Sequence, residues 1–221
     1  MKIDIEESCY PNGALKHRYH YCNDLPHRED GPAQEDFYED GIIKSYSYHI
    51  NGKLHRKGGP AIEIFHQNGQ SKYRAYKLND KRHRLDGPAE EFFYKNGILK
   101  SYSYYVNDIA HRTDGPAYES FYEDGKIEIC DYFINGEFHR LDGPAHEKYR
   151  SSGILAQSIW ICRDKIHRLD GPAVYNYGSS KHLPNTIYYL NDERLTEKEY
   201  HRQIALMKLA SIVKDACDIS L

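Results

Sequence analysis

The chain has 221 residues, and its 30 Lys plus Arg against 33 Asp plus Glu give a net charge of −3, which neither demands nor suggests a polyanionic partner such as nucleic acid. No apolar run approaches the ~20 residues that cross a bilayer as a helix, and the first seven residues lack the apolar core of a secretory leader. Five cysteines without a C-x-x-C pair fit reduced, buried thiols and set the expectation of a reducing, cytoplasmic compartment.

Residues 1–26 read as a partial unit that enters a tandem repeat in register. A strand from Ile3 to Tyr10 turns at Asn12-Gly13 and returns through Leu15 to Cys22. Next comes the box His27-Arg28-Glu29-Asp30-Gly31-Pro32-Ala33. It recurs from His83, His111, His139 and His167, with a looser copy at His55 that has Gly58 in place of the aspartate. The six histidines stand 28 residues apart with no insertion, so six units fill residues 27–194. A strict period of this size predicts an elongated array of one supersecondary unit.

Two turn signals alternate inside each unit. The first is Asp40-Gly41, Asn68-Gly69, Asn96-Gly97 or Asp124-Gly125, expected to be a type I′ hairpin turn. The second opens with Asn51-Gly52, Asn79-Asp80, Asn107-Asp108 or Asn135-Gly136 and is read as a longer loop running through the box. Period-2 alternation puts Ala33, Glu35 and Phe37 on one face of the outgoing strand, and Tyr46 and Tyr48 recur on the returning one. With two-residue turns, Glu35 falls opposite Tyr46 and diagonal to Lys44. The chain holds 21 Tyr against 7 Phe, and tyrosine suits a sheet with a wet face. The sixth hairpin is damaged around Gly178 to Pro184. Then Thr196-Glu197-Lys198-Glu199 reads as a capping box, opening a helix whose Tyr200, Ile204, Met207 and Leu209–Ile212 stretch would cover the last strand.

The recurrence of His27, Arg28 and Asp30 invites a metal or catalytic reading, but equivalent residues are two strands, roughly 9.5 Å, apart. Zinc holds nitrogen at about 2.0–2.1 Å, so one column cannot share an ion. His27, Arg28, Asp30, Gly31 and Pro32 are therefore assigned to a structural loop, with Asp30 capping loop N–H groups and pairing with Arg28. On the same account Gly58→Asp is expected to stabilise the fold modestly. No catalytic residue and no cofactor is expected. The face that varies between units carries Tyr94, Tyr105, Tyr118, Tyr122 and Phe133, a candidate surface for a protein partner.

The stretches Asn51-Gly52-Lys53-Leu54-His55-Arg56 and Asn135-Gly136-Glu137-Phe138-His139-Arg140, with the box, resemble the variant MORN-type repeats abundant in giant DNA viruses and some bacteria. The resemblance covers residues 12–194. It implies scaffolding, dimerisation or phospholipid contact and a virus-encoded origin, and brings no catalytic residues with it. The expected fold is all-β: an elongated antiparallel β-meander of about 14 strands, roughly 65 Å long at ~4.8 Å per strand. Residues 1–26 form an N-terminal cap and 195–221 a C-terminal capping α-helix. A parallel solenoid is the alternative fold. A non-enzymatic scaffold for protein partners is the expected function, with peripheral membrane binding as the alternative.

Overall fold

In the computed structural model, which describes residues 2–178 and 183–218, the chain forms a 16-stranded sheet followed by one helix, Glu197–Asp218. Long hairpins succeed one another from Ile3–Cys9 with Leu15–Cys22 to Val174–Asn176 with Asn185–Leu190. The returning arm of each pairs with the outgoing arm of the next, as Ile43–Ser47 does with Ile62–Phe65. These pairings are antiparallel, which excludes the parallel solenoid. Beyond the seven hairpins, the sheet gains two short strands, Leu25–Pro26 and Glu193–Leu195. The damaged sixth turn, 179–182, lies outside the described residues.

The second reversal is not a simple loop. It contains a hairpin of two residues per arm: His49–Ile50 with Lys53–Leu54, then Lys77–Leu78 with Lys81–Arg82, and so on to Ile161–Cys162 with Lys165–Ile166. Its turn has both central residues left-handed, Asn51 at φ 50° and Gly52 at 79°, or Asn79 at 51° and Asp80 at 70°. This is the type I′ turn. The first turn is built differently. Only its glycine is left-handed, Gly41 at φ 83°. Gly41 N–H donates to the Tyr38 carbonyl at 2.9 Å, Tyr38 N–H to the Ile42 carbonyl at 2.8 Å, and the register shifts between Asp36 and Phe37. That pattern is a type I turn closed by a glycine bulge.

The bulge absorbs the extra loop residue, so Glu35 still faces Tyr46. Lys44 is the residue left out of the ladder, and it stands exposed. The cations near Glu35 are instead Arg18 and Arg28, whose Nη1 atoms lie 3.9 and 4.0 Å from its carboxylate.

The buried core is thin. Ala33, Ala61, Ala89, Ala117, Ala145 and Ala173 are at most 1% exposed, while the long aromatic side chains stay half-buried. A deeper cluster forms at the C-terminal end from Leu190, Leu195 and Tyr200, flanked by Tyr188 and Ile204. Thr196 N–H donates to the Glu199 carboxylate at 2.9 Å and Glu199 N–H to the Thr196 hydroxyl at 3.3 Å, the reciprocal capping box. The Tyr200 hydroxyl donates to the Arg168 carbonyl and accepts from Gly171 N–H. Among the described side chains, it is the start of the helix that covers the sheet. Leu206, Met207 and Leu209 are 45–59% exposed, not packed as the amphipathic reading expects, and the Ile212 side chain lies outside the described residues.

Candidate functional site

The box is built around its arginine. The Arg84 guanidinium carbon lies 3.9 Å from the centre of the Tyr76 ring, while Nε donates to Asp86 at 2.9 Å and Nη1 to the Pro88 carbonyl at 3.2 Å. Gly87 closes the other side, where an added Cβ would lie 2.7 Å from that carbon. The glycine is therefore required for close approach: it lets a planar cation slide between backbone and ring. Arg112 on Tyr104, Arg140 on Tyr132 and Arg168 on Trp160 repeat the stack at 4.0–4.3 Å. In the first box Arg28 reaches Asp30 at 2.8 Å, the Pro32 carbonyl at 3.5 Å and His20 in place of the tyrosine, with Gly31 against its guanidinium. The hydrogen bond from the neighbouring arginine, reinforced by its charge, holds the carboxyls of Asp30, Asp86 and Asp142 below the ordinary carboxylate range.

The histidines tie each short hairpin to the next. His27 Nδ1 accepts the Asn51 backbone N–H at 3.0 Å, and His111 and His167 accept from Asn135 and Asn191 at 3.1 Å. The partner is thus the turn of the following short hairpin. Backbone bonds run beside it: Arg28 N–H to the His49 carbonyl at 3.1 Å, and Gly52 N–H to the Pro26 carbonyl at 2.9 Å. Where the turn reads Asn-Asp, the aspartate adds another bond, Leu54 N–H to Asp80 at 2.9 Å. The short hairpins consequently form a second ladder alongside the main sheet. Among the described residues no group of three or more His, Cys, Asp and Glu could hold a metal ion.

The second box corrects one expectation. Gly58 has φ 78°, a left-handed backbone that Asp30, Asp86, Asp114, Asp142 and Asp170 do not share. Gly58→Asp would strain the loop or force it to refold, so the basis for stabilisation is lost.

The predicted partner surface divides in two. The Tyr94 hydroxyl donates to the Phe121 carbonyl and that of Tyr122 to the Tyr149 carbonyl, both at 2.8 Å. Tyr10 and Tyr38 make the same bond to Phe37 and Phe65, and Arg150 reaches the Tyr177 carbonyl from the equivalent position. Tyr94 and Tyr122 therefore belong to the repeated framework. The recurrence of Tyr10, Tyr38, Tyr94 and Tyr122 in steps of 28 residues or multiples of it is visible in the sequence and marks them as such.

Tyr105, Tyr118 and Phe133 are placed together. Tyr118 registers with Ser103 on one side and Asp131 on the other, and Tyr105 and Phe133 lie two residues further along those arms. Arg82 stacks on Tyr105 at 3.7 Å, and the Phe133 and Phe138 ring centres are 4.0 Å apart. The short-hairpin ladder changes character along the array. His49, Leu54, Lys77 and Arg82 occupy its paired positions early, and Phe133, Phe138, Ile161 and Ile166 occupy them late.

The glutamate column is structural. Burial pushes Glu63 upward, but bonds from Ser71, Tyr46 and Arg74 outweigh it and leave the carboxyl below its ordinary value. No family model matches this chain, and no curated protein matches it. Within the described residues no helix is long and apolar enough to cross a membrane.

Proposed function

We propose that the chain is a non-enzymatic repeat scaffold of the variant MORN type, binding a protein partner through the late half of its variable face. The observation that carries this reading is the run of apolar pairs, Phe133 with Phe138 and Ile161 with Ile166, beside Tyr105 and Tyr118. Half-buried aromatics and aliphatics gathered on an otherwise polar array suit a partner's apolar side chains. A reducing, cytoplasmic setting suits the free thiols of Cys22 and Cys130, and the repeat resemblance supports a virus-encoded protein.

The box arginines do not offer a stripe for phosphate, because the aspartate two residues on is already on Nε in five of the six boxes. Co-sedimentation with anionic liposomes at low salt is expected to be absent; binding there would favour the membrane reading instead. The test is capture of partners from the native source by Tyr105→Ala/Tyr118→Ala/Phe133→Ala, with folding checked by circular dichroism. Loss of captured protein by the folded variant supports the surface. Retention of every partner removes it.

A further inference from the structure

The two ends of the array are finished differently. Tyr200 and the start of the helix cover the C-terminal end. At the other end Ile3–Cys9 pairs with Leu15–Cys22, and among the described residues no strand lies along its outer edge. The short-hairpin ladder is closed there: Asn23 N–H donates to the Lys2 carbonyl at 2.9 Å and Lys2 N–H to the Asn23 side chain at 3.1 Å, replacing the box histidine of later units. The main ladder has no such closure.

The repeat itself states what that edge is shaped to receive. Ile5 stands 28 residues before Ala33, in the alanine column, yet it is 59% exposed where the alanines are at most 1%; Ile3 is 68% exposed. Glu7 stands in the glutamate column. Later members of that column take a donor from the returning arm before them, the Tyr46 hydroxyl to Glu63 and the Tyr102 hydroxyl to Glu119. Asp4 and Glu6 add two further carboxylates on this strand. Lys2 pairs with Asp4 and Arg18 with Glu7, so the edge keeps an acidic excess.

We propose that the outer edge of Ile3–Cys9 docks an extended, basic strand of a protein partner by antiparallel β-addition, with an Arg or Tyr opposite Glu7. A second copy fits poorly. Two such edges paired antiparallel bring Asp4, Glu6 and Glu7 against the same residues of the copy, and like charges across a ladder destabilise it. The copy's opposite edge lies under its helix.

The probe is the synthetic peptide Ser71–Leu78, a basic returning arm of this chain, whose Arg74 registers with Glu63 and Glu91 in its own place. It is titrated into the full chain, and amide exchange locates the bound site. Expected are new protection confined to residues 3–9 and binding at least ten-fold weaker to Glu6→Lys/Glu7→Lys. A peptide with Lys72, Arg74 and Lys77 replaced by Glu should bind the double variant instead. Glu6→Lys alone, which leaves the Glu7–Arg18 pair intact, should weaken binding at least three-fold. Absent binding, protection elsewhere, or affinity indifferent to these substitutions overturns the proposal. So does protection of residues 3–9 that rises with protein concentration alone, which would make the occupant a second copy.

Discussion

The hairpin edge and the box edge of each unit both begin with Asn or Asp before Gly or Asp, yet they hold the array with different strength. At the hairpin edge a unit reaches its neighbour by a tyrosine hydroxyl and a turn asparagine on backbone carbonyls, as Tyr94 does at Phe121 and Asn96 at Glu123. At the box edge successive short hairpins are joined by a histidine and two backbone bonds, beside an arginine fixed by ring, carboxylate and glycine. A single sheet with a thin core depends on such side-chain joints, because burial alone stabilises it little. With a buried core this thin, the repeated polar residues take over the joining of the strands.

The largest expected effect is on the sandwich. Gly87→Ala should cost about 1–3 kcal/mol, since the new methyl displaces Arg84, whereas Gly171→Ala should be nearly silent because its Cβ would stand 3.6 Å from Arg168. Equal melting temperatures for the two variants would break the contrast. Arg84→Lys keeps the charge but loses the planar fork and the stack; denaturant unfolding should show a loss of about 1 kcal/mol. Tyr122→Phe at the hairpin edge should cost only about 0.5–1.5 kcal/mol, the net value of one hydrogen bond. Should it exceed Gly87→Ala, the ranking of the two edges is reversed.

The smallest effect is on pH dependence. The box aspartates have folded values below their unfolded ones, so their contribution is present above the ordinary carboxylate range and lost as pH falls through the lowered folded values. Asp86→Asn should therefore flatten the fall in melting temperature between neutral and acid pH. An unchanged slope would remove the Arg84–Asp86 pair from the account.

Much of this was legible in residues. The 28-residue spacing of the histidines, the alternation of Ala33, Glu35 and Phe37, and the capping box of Thr196 and Glu199 each follow a local rule with one structural outcome. The turn types were not legible in the same way, because Asn-Gly suits both a two-residue turn and a bulged one. What separates them is the second position: always glycine at Gly13, Gly41, Gly69, Gly97, Gly125 and Gly153, but also Asp80, Asp108, Asp164 and Asp192 in the short hairpins. The arginine stack is not legible for another reason. Tyr76 precedes the short hairpin and Arg84 follows it, and nothing local to either residue announces the contact.

The central claim is that the repeating residues hold the array and the non-repeating ones meet a partner. Partner capture by folded Arg112→Lys tests it most directly. The expected result is a lowered melting temperature with capture undiminished. Loss of capture at an unchanged melting temperature would make the box a binding site, and would contradict the assignment of function to the face that varies.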